Sequence, residues 1–186
     1  MRTATQKMIL EAARRLFNER GYAHVTMRDI ASECSISVGN LTYHFHRKRD
    51  VVSAIMEDSF AETLPEEPIR DFAGLHDQFD RMLETITRNA FYFLDDEFIG
   101  DSRGHNAEIR KRILKGLEDL VKEGLLCEEM DERTREGWLE ILLMAHLTWL
   151  RETARGRYAP SRKNFLELHL LMLEPYLTGK GRQSLK

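Results

Sequence analysis

Cysteine and proline are both scarce in this chain of 186 residues, which contains 2 cysteines and 4 prolines. Cys34 and Cys127 have no metal-ligand spacing and no neighbouring second thiol. We therefore interpret them as free thiols in a reducing compartment rather than as a disulfide or a redox switch. The scarcity of proline favours helices, because proline breaks a helix interior.

Two further absences concern membranes and export. No apolar run approaches the roughly 20 residues that a membrane-spanning helix needs. The first residues contain neither a continuous apolar stretch nor a small-residue cleavage site, so we expect no secretory signal peptide. Together these features predict a cytoplasmic protein.

Sequence motifs of common enzymes are also missing. The chain contains no Gly-rich phosphate loop, no Gly-x-Ser-x-Gly elbow and no His-Glu-x-x-His. Histidines after the first third of the chain stand singly, at His76, His105, His146 and His169. We therefore expect no enzymatic activity, no cofactor and no metal site.

Charge is distributed unevenly along the chain. Residues 1–53 contain nine Lys or Arg and five Asp or Glu, a balance of +4, which leaves −7 for the remainder because the total is −3. A basic N-terminal part on an acidic body suits a protein that binds a polyanion through that part.

The first fifty residues have strong helix signals. Apolar spacing predicts a helix from about Ala4 to Arg20, with Gly21 as a left-handed cap. Thr26 and Asp29 form the pattern of a capping box, which predicts a second helix that begins at about Met27.

Ser37 offers a further N-cap, for a short helix from Val38 to about Phe45. Leu41 and Phe45 are four residues apart and face inward together, which leaves a small, polar and aromatic outer face. Two short helices joined by a short turn, with basic residues nearby, are typical of a helix-turn-helix DNA-binding motif. An ordinary helical hairpin explains the spacing equally well.

The residue types narrow this choice. Residues 37–45 read Ser-Val-Gly-Asn-Leu-Thr-Tyr-His-Phe, and Arg-Lys-Arg-Asp-Val follows at residues 47–51. This sequence closely resembles the second helix of the motif and the start of the next helix in the tetracycline-repressor (TetR) family of bacterial regulators, over roughly the first 55 residues.

The resemblance implies an all-α fold. The expected fold comprises a three-helix DNA-binding head at residues 1–47, a connecting helix at 48–64 and a helical ligand-binding and dimerisation domain at 65–178. A proline-rich, acidic stretch at residues 64–68 marks the boundary before that domain. The polar residues 179–186 are expected to form a flexible tail.

The resemblance also implies which residues contact DNA. The residues expected nearest to base edges are Arg28, Val38, Gly39 and Asn40. Those expected nearest to phosphates are Thr26, Thr42, Tyr43, His44 and Lys48. Ser37 is also expected to contact DNA. The amide of Asn40 suits base recognition because it both donates and accepts. Thr42 stands where the family often has a tyrosine, which follows here as Tyr43, and its hydroxyl can still donate. Lys48 lies near a helix start, whose free N–H groups suit a phosphate.

Helical spacing continues through the rest of the chain. We expect helices at about Lys48–Phe60, Ile69–Phe98, Asn106–Gly124, Glu132–Gly156 and Ser161–Leu177, and a loop at Gly100–Gly104. The last two are apolar over more of their circumference than one core-facing stripe requires. The resemblance implies that they pair with their copies in a homodimer.

Aromatic residues and methionines are enriched in the expected body. A ligand pocket is expected among Phe79, Met82, Phe91, Phe93, Trp138, His146 and Trp149, although a plain core would contain the same residue types. We interpret the chain as a dimeric, ligand-responsive repressor of a palindromic operator. Two alternatives stay open: a helical ligand-binding protein or enzyme with a purely structural helix-turn-helix, and a DNA-binding regulator without an inducer.

Overall fold

The structure is a computed structural model that describes residues 2–98, 103–157 and 161–185, without the side chains of residues 96 and 103–106. Within these ranges the regular elements are helices, and an isolated antiparallel bridge joins Leu126 to Leu177. The expected all-α class is therefore confirmed. None of the described helices is long and apolar enough to cross a membrane.

The chain divides into two compact units. The head unit comprises Met1–Glu62 with Arg88–Ile99, and the body unit comprises Thr63–Thr87 with Gly100–Lys186. A segment from the middle of the chain thus groups with the N-terminal helices. The functional division at residues 47, 64 and 178 stays a prediction.

Helix α1 spans Ala4–Arg20, as predicted. Thr3 and Gln6 form a capping box at its start, and one side of the helix is buried. Gly21 follows with φ +80° and ψ 148°. Residues with a side chain avoid this conformation, which lies outside the left-handed helical region. Gly21 therefore ends α1 through an extended turn rather than through the expected left-handed cap.

Helix α2 spans Met27–Glu33 and helix α3 spans Val38–His44. Thr26 and Asp29 form the predicted capping box: the N–H of Asp29 donates to Thr26 Oγ1 at 3.2 Å, and the N–H of Thr26 donates to Asp29 Oδ2 at 2.8 Å. Ser37 caps α3, also as predicted.

The turn between α2 and α3 fixes how α3 is presented. Ser35 has φ +54°, which lets the chain reverse within a few residues. Leu41 and Phe45 are buried, as are Val25 and Ile30 of the preceding segment. The inward side of α3 therefore belongs to the core of the head unit.

Helix α4 spans Lys48–Thr63, three residues longer than expected. The single helix expected at residues 69–98 is wrong. Instead, α5 spans Phe72–Arg88, α6 spans Ala90–Leu94, and a 3₁₀ turn spans Asp96–Phe98.

A side chain of α1 explains the break between α5 and α6. Asn18 Nδ2 donates to the carbonyl oxygen of Arg88 at 2.9 Å, and Asn18 Oδ1 accepts from the N–H of Phe91 at 3.0 Å. Asn89, between them, has φ −117° and ψ 40°, outside the helical region. The amide of Asn18 therefore satisfies backbone groups that a continuous helix would pair internally.

Besides most of α5, the body unit contains α7 at Arg103–Lys122, α8 at Glu132–Ala154 and α9 at Arg162–Leu173. Their bounds differ from the predicted ones by a few residues. Residues 100–102 of the expected loop lie outside the described residues, whereas residues 103 and 104 already belong to α7.

The expected flexible tail is wrong for residues 179–184, which form helix α10, Gly179–Ser184. Thr178 Oγ1 accepts from the N–H of Gly181 at 3.0 Å and donates to the carbonyl oxygen of Gly124 at 2.7 Å. The N–H of Thr178 donates to the carbonyl oxygen of Leu125 at 3.2 Å. These bonds attach α10 to the end of α7.

Gly181→Ala tests this attachment. A Cβ at Gly181 would overlap the carbonyl oxygen of Leu125, a backbone atom that cannot move aside cheaply. We expect a loss of about 1–3 kcal/mol in the free energy of unfolding, measured by chemical denaturation. Gly179→Ala, two residues away with open space around it, is the control and should be neutral or stabilising. Equal effects of both substitutions would contradict a docked α10.

Candidate DNA-contacting surface and aromatic cluster

The outer face of α3 is open to solvent. Leu41 is fully buried, and helical geometry places Gly39 and Tyr43 on the opposite side. Tyr43 is 82% exposed and Val38 is 40% exposed. A large aromatic side chain with so little packing, on a short helix held by its other side, is suited to contact a partner molecule.

All ten predicted DNA-contacting residues lie in the head unit, between Thr26 and Lys48. Most are exposed; Thr42, His44 and Lys48 are half-buried. The ring of His44 lies edge-on to Tyr43, with 5.2 Å between centroids. Arg47, which the prediction omitted, is also exposed beside α3, and the basic run at residues 47–49 was the signal for it.

The hydroxyl groups of Thr26, Ser37 and Thr42 differ in whether their proton is already used in a hydrogen bond within the protein. Thr26 Oγ1 donates to Asp29 Oδ2 at 2.6 Å, and these hydrogen bonds lower the pKa of Asp29. Thr42 Oγ1 donates to carbonyl oxygens of its own helix, at 3.0 and 3.1 Å. Ser37 Oγ accepts from the N–H of Asn40 at 3.1 Å and keeps its proton. Of the three, Ser37 is therefore the one ready to donate to a phosphate.

Lys48 has a structural role that the sequence did not suggest. Its Nζ donates to the carbonyl oxygens of Tyr22 at 2.6 Å and Val25 at 2.9 Å, and lies 3.9 Å from the centroid of the Tyr22 ring. Burial lowers the pKa of Lys48, while Glu97 and Asp95 oppose that shift. Since an ammonium group has three N–H bonds, one remains for a phosphate.

Six rings of the body unit form a buried group, named here the aromatic cluster: Phe79, Trp138, His146, Trp149, Phe165 and His169. The ring of Phe79 lies 5.7 Å from Trp138 and 4.9 Å from His169. His146 and His169 stack at 4.8 Å. Trp149 and Phe165 stack at 5.3 Å. Helices α5, α8 and α9 all contribute to the cluster.

Four of the seven predicted ligand-contacting residues belong to this cluster: Phe79, Trp138, His146 and Trp149. Met82 is buried one turn further along α5. Phe165 and His169 were missed, although their spacing of four residues on a long apolar helix was a signal.

Phe91 and Phe93 lie in the head unit. The ring of Phe91 is 5.1 Å from Phe17, and that of Phe93 is 5.4 Å from Tyr92. The helix break at Asn89 precedes both, so they do not continue the face of α5 that carries Phe79. The structure does not group these two residues with the rings of the body unit.

The two histidines of the cluster are uncharged at neutral pH. Burial lowers the pKa of His146 to about 4, opposed by its hydrogen bond to the carbonyl of Leu142. Burial and the neighbouring His146 lower the pKa of His169 to about 3. The aromatic cluster therefore combines stacked rings with neutral imidazoles.

The N-terminal part of the chain is similar to known transcription regulators. Residues 9–55 match the family profile described as bacterial regulatory proteins, tetR family. A stretch of 92 residues is 37% identical to the HTH-type transcriptional regulator UidR of Escherichia coli K12, covering 47% of this chain and 45% of UidR. A stretch of 59 residues is 41% identical to the HTH-type transcriptional regulator TtgR of Pseudomonas putida, covering 32% of this chain and 28% of TtgR. Residues 9–55 are therefore similar to the DNA-binding part of TetR-family regulators.

Solved TetR-family structures share the fold beyond the head. A TetR-family transcriptional regulator from Marinobacter aquaeolei VT8 matches with a TM-score of 0.80 over 98% of this chain and 95% of that one, at 21% identity. Identity this low shows the fold alone. The match to UidR spans less than half of that relative's length.

Lys48→Met tests whether the contacts of Lys48 with the carbonyl oxygens of Tyr22 and Val25 stabilise the head unit. Removing Nζ leaves the carbonyl oxygens of Tyr22 and Val25 without their charged donor, so we expect the head to lose about 1–3 kcal/mol of stability. Lys7→Met, which removes an exposed lysine from α1, is the control. Hydrogen exchange at residues 22–25 should accelerate only in the first variant. Equal stability and equal hydrogen exchange in the two variants would show that the contacts of Lys48 do not stabilise the head.

Proposed function

We propose that this chain is a ligand-responsive transcription regulator, acting as a repressor, that binds a palindromic operator as a homodimer. The observation that carries the proposal is the outer face of α3, with Tyr43 82% exposed and Asn40 beside it. A short helix fixed by its inner side, with such an outer face, suits insertion into a major groove. The net charge of +4 on residues 1–53 supports the same reading.

The roles within this surface follow from side-chain chemistry. Arg28 and Asn40 are exposed side chains that can hydrogen-bond base edges, while Val38 offers an apolar contact and Gly39 allows close approach. Ser37 and Tyr43 are the best phosphate donors, because their hydroxyl protons are free of the helix backbone. His44 and the third N–H of Lys48 add contacts to phosphate. Thr26 and Thr42 would have to break internal hydrogen bonds to do so.

Dimerisation through α8 and α9 is supported by their exposed apolar residues. Ile141 is 60%, Met144 65% and Leu171 59% exposed, and Leu147 and Leu168 are also exposed. Several large apolar side chains on two neighbouring elements of the chain mark an interaction surface. A second copy fits this surface because a dimer also provides two α3 helices for a palindromic site.

An effector site in the aromatic cluster completes the proposal. Phe79, Met82, Trp138, His146 and Trp149 are buried and combine rings with polar nitrogen atoms, the usual composition of small-molecule sites. The regulator without an inducer remains the second candidate, favoured by how fully these rings are buried.

Paired variants of α3 test the division between base and phosphate contacts. Asn40→Ala should relax preference at one base step by about 1–3 kcal/mol, because the amide reads a base edge. Tyr43→Phe keeps the ring but loses the hydroxyl, so it should weaken operator and random DNA to the same extent. Fluorescence anisotropy with a set of single-base operator variants measures both. If both substitutions lower the affinity for all operator variants and random DNA equally, Asn40 does not read a base.

Met144→Glu and Leu171→Glu test the dimer surface. A carboxylate buried at the interface should cost about 2 kcal/mol or more of dimerisation free energy. Sedimentation should then detect monomers, and operator affinity should fall with the dimer population. Leu185→Glu changes an exposed leucine outside α8 and α9 and serves as the control. Unchanged dimers in the first two variants would place the interface elsewhere.

A further inference from the structure

Two carboxylates, those of Asp95 and Glu97, lie beside the basic residues at the start of α4. Glu97 Oε1 is 3.8 Å from Arg49 Nη1, and both side chains are about half exposed. Burial lowers the pKa of Lys48, and the negative charges of Glu97 and Asp95 oppose that shift. Negative charge is therefore placed next to a lysine that is proposed to contact a DNA phosphate.

Aromatic packing holds these carboxylates in place. The ring of Phe98, which directly follows Glu97, lies 4.8 Å from the ring of Tyr22 and stacks on Tyr92 at 4.9 Å. Phe98 is buried, and Lys48 Nζ lies 3.9 Å from the centre of the same Tyr22 ring. Because Tyr22 contacts both Phe98 and Lys48, the segment that carries the carboxylates stays close to the ammonium group.

Hydrogen bonds within the turn also fix its shape. The N–H of Glu97 donates to Asp95 Oδ1 at 3.0 Å, and the N–H of Phe98 donates to the carbonyl oxygen of Asp95 at 3.2 Å. Burial raises the pKa of Tyr22, and the charges of Glu97 and Asp95 raise it further against the opposing effect of Arg49. The two carboxylates and the guanidinium group are thus close enough to act on one phenol ring.

The charge of this segment bears on how tightly the head can bind DNA. Lysines and arginines that neutralise phosphates provide the part of DNA affinity that does not depend on sequence. A carboxylate within a Debye length of such a cation, about 8 Å at physiological ionic strength, repels the incoming phosphate. The segment Arg88–Ile99 adds one arginine and three acidic residues to the head unit, whereas residues 1–53 carry a balance of +4. The segment therefore offsets about half of that positive charge.

We propose that Asp95 and Glu97 limit the DNA affinity of the head, because they compete with phosphates for Lys48 and Arg49. They weaken binding to every sequence and leave the preference among sequences unchanged. This inference rests on the proposed DNA binding and adds acidic residues to a surface otherwise composed of cations, hydroxyl groups and an amide. Since the effect is electrostatic, it is strong at low salt and fades as salt screens the charges.

Glu97→Gln, alone and combined with Asp95→Asn, tests the proposal, because each substitution removes one negative charge and keeps the size of the side chain. We expect the single variant to bind a duplex of random sequence about threefold more tightly than the unmodified chain at about 50 mM salt, and the double variant about tenfold. Both gains should shrink at about 200 mM salt. Fluorescence anisotropy titration of the full chain measures them. Asp95→Asn alone is the second test if Glu97→Gln does not fold.

Glu62→Gln is the matched control. Glu62 is also an exposed glutamate paired with an arginine, since its Oε2 lies 2.8 Å from Arg88 Nη1. The substitution removes the same charge, but Glu62 follows Lys48 on α4 by fourteen residues, about 21 Å along the helix axis. That distance exceeds the Debye length at either salt concentration, so we expect an unchanged affinity. Equal gains in Glu62→Gln and Glu97→Gln, or no gain in Glu97→Gln, would overturn the proposal.

Elution from a heparin column separates this inference from the proposed function. Heparin is a polyanion without bases, so its binding depends on the positive charge of the head and not on sequence reading. Glu97→Gln should elute at higher salt than both the unmodified chain and Glu62→Gln. If it does so while the chain prefers no DNA sequence, the regulator proposal fails and the inference stands. If the chain prefers a DNA sequence but Glu97→Gln changes neither heparin elution nor the affinity for random DNA, the inference fails alone.

Discussion

Burial of Leu41 and Phe45 is the interaction on which the function of the head depends. Helix α3 has only seven residues, too few to be stable alone in water. Its inner side chains are buried with Val25 and Ile30, and Ser37 caps its first turn. Lys48 then binds the carbonyls of Tyr22 and Val25, which ties the start of α4 to the segment that leads into α2. The outer face of α3 is thus held in one orientation, which recognition of a DNA groove requires.

Much of the head could be predicted because its signals are local. Thr26 with Asp29, and Ser37, mark helix starts through hydrogen bonds that reach only three residues along the chain. Leu41 and Phe45 mark an inner side through spacing alone. For the same reason the exposed face of α3 could be described before its surroundings were known. The resemblance to the TetR family then supplied expected roles that spacing could not.

Apart from the left-handed cap expected at Gly21, the predictions that differ from the structure depend on contacts between distant parts of the chain. Asn18 ends α5 at Arg88 by hydrogen-bonding backbone groups some seventy residues later in the chain. The sequence near residue 89 contains no signal for this helix end. The polar residues after Thr178 form α10 because that threonine meets Gly124 and Leu125. Phe91 and Phe93 carry the composition of a ligand site, but their rings pack within the head unit. In the body, aromatic spacing predicted buried rings, while the stacking among them became visible only when α5, α8 and α9 were assembled.

We expect this head to bind a specific DNA sequence. Selection from a random double-stranded library by the purified full chain, followed by anisotropy titration of the selected site against shuffled DNA over a range of salt concentrations, measures that binding. The expected result is enrichment of an inverted repeat, binding by two copies of the chain, and an affinity that falls steeply with salt while the preference over shuffled DNA persists. No enriched sequence, with selected and shuffled DNA bound equally at every salt concentration, would contradict it.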